Sequence, residues 1–112
     1  MTTFTYAGSS YFLSRKKQLC SDVNEPLIIS ESECRRAASN LNLQIQESFS
    51  WTGSWSIFPK GCALDDNTYA PKVYFNTHSV GGVGSSLNRH ARQICKASGM
   101  IKSIIERLCK LN

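Results

Sequence analysis

Ser30-Glu31-Ser32-Glu33-Cys34-Arg35-Arg36-Ala37-Ala38-Ser39-Asn40-Leu41 is the stretch that decides the fold. Ser30 can accept from a backbone N–H of the first turn, while Glu33 can reach back to the Ser30 N–H; together these make a capping box. Cys34, Ala37, Ala38 and Leu41 then fall at i, i+3, i+4 and i+7, one face of a helix. The spacing predicts a helix over about 31–41. Its inner stripe is built of small residues, so it can lie close to a sheet, and Arg35 and Arg36 point outward.

Strand signals surround this helix. Leu43-Gln44-Ile45-Gln46 alternates. Phe49, Trp51, Trp55, Ile57 and Phe58 read as two strand edges joined by a tight turn at Thr52-Gly53-Ser54. Cys62-Ala63-Leu64 is a short apolar piece after a turn at Pro59-Lys60-Gly61, and Asp65-Asp66-Asn67 reads as a further turn. Lys72-Val73-Tyr74-Phe75-Asn76 is the strongest strand signal, rich in branched and aromatic residues. Thr77 to Asn88, with Gly81, Gly82, Gly84, Ser85 and Ser86, reads as a flexible loop. Arg92 to Cys95 reads as a closing strand, and Thr2 to Tyr6 as a short edge strand. After Gly99, Met100, Ile101, Ile104, Ile105, Leu108 and Leu111 repeat at helical spacing, predicting an amphipathic helix over about 100–111.

The expected fold class is therefore α+β. A small antiparallel sheet packs one helix and is closed by a C-terminal helix, in a single domain over residues 1–112. Within it, residues 20–96 form a core module, 1–19 an extension and 97–112 the terminal helix. Hydrophobic residues at 41% and charged residues at 19% exclude disorder, collagen and coiled coil as the main state. No apolar run reaches the roughly 18 residues of a membrane-spanning helix.

Five cysteines, Cys20, Cys34, Cys62, Cys95 and Cys109, are dense for a reducing compartment. None stands in CxxC spacing, so disulfides account for them better than zinc. Five allow two bridges and leave one over; spacing alone does not choose the partners. A Cys34–Cys62 bridge would pin the predicted helix to the sheet, and a Cys20–Cys95 bridge would clasp the ends of the middle region. Each would contribute roughly 3–4.5 kcal/mol by loop closure. Cys109 is the odd thiol, free or linked to another chain. Met1 to Tyr6 lacks a basic start and an apolar run. With disulfides present, the chain is then expected to be a mature portion or a module of something longer. A cytosolic protein with five free thiols is the competing reading.

Charge is uneven. Seven basic and seven acidic groups cancel over residues 1–88, whereas Arg89, Arg92, Lys96, Lys102, Arg107 and Lys110 face only Glu106 in residues 89–112. The whole net charge of +5 lies there. A cationic stripe attracts acidic surfaces, and more weakly as salt rises.

Catalytic constellations are weak. Cys62, His78 and Asp65 could be drawn as a Cys-His-Asp set, but nothing in their spacing asks for it. Asp65-Asp66-Asn67, with Asn76, could offer oxygen ligands to calcium, yet no EF-hand loop accompanies them. Gly81-Gly82-Val83-Gly84 lacks the Lys-Ser/Thr ending of a phosphate loop. No catalytic residue, metal or cofactor is expected. Trp51 and Trp55 read as core, with one of them partly exposed to serve as a platform.

The run Ile29-Ser-Glu-Ser-Glu-Cys34-Arg-Arg-Ala-Ala38-Ser-Asn-Leu41, followed by Phe58-Pro-Lys-Gly-Cys62, Val73-Tyr-Phe-Asn76 and Ile94-Cys95-Lys96, resembles small cysteine-containing modules. These occur, often repeated, in predicted extracellular proteins of algae and other unicellular eukaryotes. The resemblance spans roughly residues 20–96. It implies a disulfide-stabilised extracytoplasmic α+β module and supports a four-cysteine core; it brings no activity and no functional residues.

The expected function is a non-catalytic extracytoplasmic binding or assembly module, secreted or in an organelle lumen. It would dock on a protein partner or a second copy, in a complex that could be membrane-bound or photosynthetic. The expected docking residues are Met100, Ile101, Ile104, Ile105, Leu108 and Cys109, with Arg89, Arg92, Lys102 and Arg107, and Trp51 and Trp55 as aromatic contacts. The alternative is a cationic factor binding a membrane surface, a glycan or another polyanion, as a defence or lectin-like protein. Nucleic acid is disfavoured.

Overall fold

A computed structural model describes residues 10–46, 51–67 and 69–97. Among the described residues five strands form one sheet: β1 (Tyr11–Leu13), β2 (Thr52–Gly53), β3 (Pro59–Asp65), β4 (Lys72–Gly81) and β5 (Ala91–Lys96). Their order across the sheet is β1-β5-β3-β4-β2. The α-helix among these residues, α1 (Glu31–Asn40), packs on one face. The α+β class and the helix follow the sequence reading. Ser30 caps α1 through its side chain, which accepts from Glu33 N–H at 3.2 Å. The Glu33 carboxylate is engaged elsewhere. It accepts from Tyr11 Oη at 3.2 Å and pairs with Lys96 Nζ at 3.1 Å, tying α1 to β1 and β5.

Strand periodicity sorts the two faces. Cys62, Leu64, Val73, Phe75 and Ile94 meet Cys34, Ala37 and Ala38 of α1 in the core. Ala63, Tyr74, Gln93 and Cys95 occupy the alternate positions and point to the opposite face. Each face has its own covalent clamp. Cys34–Cys62 ties α1 to the middle strand, with Cα atoms 5.3 Å apart, and Cys20–Cys95 ties the Cys20–Val23 turn to β5, at 5.6 Å. All four cysteines are fully buried. On the Cys20 side, Gln93 donates to the Lys60 carbonyl at 2.8 Å and accepts from Cys20 N–H at 2.6 Å. Its own N–H donates to Ser14 Oγ at 2.7 Å. These bonds satisfy two buried polar side chains where the N-terminal segment crosses the sheet.

Five sequence expectations are corrected. The sheet is mixed: β2 runs parallel to β4, and Ile45 bridges Val73 in parallel as well. Alternation fixes which face a side chain takes, but not the direction of the strand. Residues 43–46 therefore make only that one bridge, not a strand of their own. Thr52-Gly53 is not a turn but β2 itself. Cys62–Leu64 is the centre of the seven-residue β3, which starts at Pro59, where a proline costs no ladder bond. Gly61 lies within β3 at φ +83°, and a Cβ there would strike the Ile28 carbonyl; this glycine marks a close backbone approach. Finally, Thr77–Gly81 continues β4 instead of opening a loop. His78 Nδ1 accepts from Gly81 N–H at 2.8 Å and shapes that end of the strand. Thr2–Tyr6 and the helix expected over 100–111 lie outside the described residues.

Trp51 packs on Phe75, ring centroids 6.3 Å apart, beneath the Arg35 guanidinium at 4.4 Å. Its indole N–H donates to Glu31 Oε1 at 2.8 Å, and Thr52 Oγ1 donates to the same oxygen at 2.9 Å. These bonds, Trp51 first and then Thr52, hold the Glu31 carboxyl below the ordinary glutamate range, with Arg35 adding. A depressed folded-state value stabilises the protein above the unfolded value and loses that contribution as pH falls through the folded one. The stability of the wild type is therefore expected to decline faster than that of Glu31→Gln below about pH 4.3. Urea melts across that range check this; parallel acid limbs would contradict it.

Candidate binding site

The site is built from the loop between β2 and β3 and from the sheet face opposite α1. Tyr74 pairs with Ala63 across the β3–β4 ladder and is half-buried on the face opposite the core. Trp55 and Phe58 come down onto it from the loop. The Trp55 and Tyr74 ring centroids are 5.6 Å apart with planes at 74°, and those of Trp55 and Phe58 are 6.5 Å apart at 77°. Phe58 and Tyr74 are 6.4 Å apart and tilted by 34°. The three rings make a corner with one wall nearly perpendicular to the other two. With Asp65, at the end of β3, they line a cavity of about 150 Å³.

A buried amide holds the corner in place. Asn76 is 1% exposed. Its Oδ1 accepts from Trp55 N–H at 2.8 Å and from His78 N–H at 3.1 Å. Its Nδ2 donates to the carbonyls of Trp55 at 2.8 Å, Phe58 at 2.9 Å and Pro59 at 3.0 Å. One side chain thus replaces the backbone partners that the loop would otherwise lack. Gly53 completes the seat, since a Cβ there would run into the Trp55 indole. Gly53 in a strand signals close approach rather than a turn.

Electrostatically the corner is acidic. Burial, and secondarily the Asp65 charge, hold the Tyr74 phenol above its ordinary value. The ion pairs among the described residues are Arg92–Asp66 at 2.9 Å and Lys96–Glu33, so Asp65 has no ion-pair partner there. Lys72 is its directly opposed residue across the β3–β4 ladder.

The residues singled out in the sequence scatter. Cys20, Cys95, Cys34 and Cys62 form the two bridges. Cys62 is therefore no thiol nucleophile, and the Cys-His-Asp set drawn from the sequence lacks its first member. Asp66 serves Arg92, Asn67 Oδ1 accepts from Ala70 N–H at 2.9 Å and Asn76 staples the loop, so the imagined calcium ligands have separate duties. Among the described residues no three His, Cys, Asp or Glu side chains are grouped to hold a metal ion. Arg92 is a bracing residue, donating also to the Ser14 carbonyl at 2.6 Å. Arg89 is exposed and lies beside His90. Trp51 is buried under Arg35, away from the cavity; Trp55 is half-buried and lines it. Met100, Ile101, Lys102, Ile104, Ile105, Arg107, Leu108 and Cys109 lie outside the described residues. Phe58 and Tyr74, which the sequence marks only as strand residues, and Asp65, which it marks for other roles, join Trp55 as lining residues, with Asn76 and Gly53 behind them. The one sequence signal for this was the polar Asn76 directly after the apolar run Val73-Tyr74-Phe75.

No protein-family model, no curated protein and no solved structure matches the chain. Among the described residues no helix is long and apolar enough to cross a membrane.

Proposed function

We propose that the protein is a non-catalytic binding module working outside the reducing cytosol, and that the Trp55–Phe58–Tyr74–Asp65 corner takes its ligand. The carrying observation is three half-buried rings, two of them seated by a buried amide, beside a carboxylate that has no ion-pair partner among the described residues. Half-open rings grouped side by side offer a ligand apolar surface to cover. Two buried disulfides support the oxidising setting.

Gly53→Ala tests the site without touching the core. The new methyl pushes the Trp55 indole out of the corner, and Gly53 sits in extended backbone that alanine adopts freely. Stability is expected to stay within about 1 kcal/mol of wild type. Perturbation of the Trp55 indole resonance by millimolar organic cations, neutral alcohols or methyl glycosides is expected in the wild type and lost in the variant. Silence of all three classes in the wild type would refute the site.

A further inference from the structure

We infer that the ligand of this corner is a compact organic cation, a quaternary or methylated ammonium group; this rests on the binding reading above and narrows it. Size argues first. A cavity of about 150 Å³ matches one known to hold benzene and falls below the roughly 300 Å³ at which pockets for larger ligands begin. A trimethylammonium head fits that space, whereas a sugar ring with its hydroxyls needs more.

Ring geometry argues second. Sugars stack on a flat platform and call for several hydrogen-bonding groups around the rim. Here Trp55 stands at 74° and 77° to its neighbours, and the lining holds one carboxylate and one phenol as its polar side chains besides the indole. Rings meeting at steep angles present negative π faces from more than one direction, which suits a cation with no hydrogen-bond demands.

Charge argues third. Asp65 lies on the same sheet face as Tyr74, has no ion-pair partner among the described residues, and lines the cavity. Lys72, the chain's own cation opposite it, makes no ion pair with it. The carboxylate is left with its charge to offer, and an alkylated ammonium head is weakly enough hydrated to take it beside aromatic rings.

The test uses the whole chain with its disulfides intact and follows the two indole N–H resonances. Trp51, bonded to Glu31, serves as the internal control. Choline and its neutral isostere 3,3-dimethylbutan-1-ol are titrated in parallel, with methyl glucoside alongside. Choline is expected to shift Trp55 and leave Trp51 in place, with the neutral isostere at least about tenfold weaker. Asp65→Asn keeps the shape and is expected to weaken choline about tenfold. Equal binding of the alcohol, or Asp65→Asn without effect, would overturn the cation while leaving the pocket standing. Binding of the glucoside alone would do the same. No response to any of the three would overturn both readings.

Discussion

Reducing both disulfides is expected to unfold the protein at 37 °C. The bridges join residues separated by 75 and 28 positions. On the loop-closure account these contribute about 4.5 and 3.6 kcal/mol, less than their sum because the shorter loop lies inside the longer. A domain of this size holds about 5–15 kcal/mol in all. The core offers little in compensation. Its helix contributes Cys34, Ala37 and Ala38, and its largest fully buried side chains are Ile28, Leu64, Ile94 and Val73. Because all four sulfurs are buried, mild reductant is expected to act slowly, at the rate of opening, and rapidly once urea exposes them. Circular dichroism after reduction in urea and return to buffer checks the first point. A reduced protein that refolds to native ellipticity at 37 °C would show that packing alone suffices.

The second large effect falls on Asn76. Asn76→Leu keeps the branching and number of heavy atoms but strips the Trp55 N–H and the carbonyls of Trp55, Phe58 and Pro59 of their shared partner. Buried backbone groups left without partners cost about 1–3 kcal/mol each, and some here regain water as the loop lifts. A net loss of about 3 kcal/mol follows. The consequence is also local. With the staple gone, residues 55–58 detach from β4, and the aromatic corner opens while α1 and Cys34–Cys62 stay on the other face. Amide exchange is therefore expected to rise in 55–59 well before it rises in α1. Uniform protection loss across the chain would mean that Asn76 props the whole fold instead of the loop.

How much of this could be read from the chain depends on how local the determinants are. The α1 helix was legible because its cap and its Cys34-Ala37-Ala38 stripe lie within one short stretch. The bridge partners were legible as a preference of placement, with Cys34 on the predicted helix, Cys62 in the apolar piece after a turn, and Cys20 and Cys95 at the two ends of the middle region. Strand direction was not. The alternation of Leu43 and Ile45 is the same for either polarity, and only the return path of the chain after α1 makes that edge parallel. The glycines misled. Gly53 and Gly61 look like turn residues, yet each sits inside a strand where another group presses on the backbone. The candidate site was the least legible part. Trp55 and Phe58 belong to a loop, Asp65 to β3 and Tyr74 to β4, and only sheet register brings them together. Sequence reasoning attended to Asp65 as part of a turn and to Asn76 as a possible ligand, whereas their neighbours in space define what they do.

The most direct measurement is a thiol census on protein quenched in acid inside its own cells. Free thiols are blocked under denaturing conditions, the chain is digested without reductant, and the linked peptides are weighed. The account predicts a Cys20–Cys95 pair and a Cys34–Cys62 pair, with no blocking label on any of the four. Labels on these cysteines, or any other partnering among them, would contradict it.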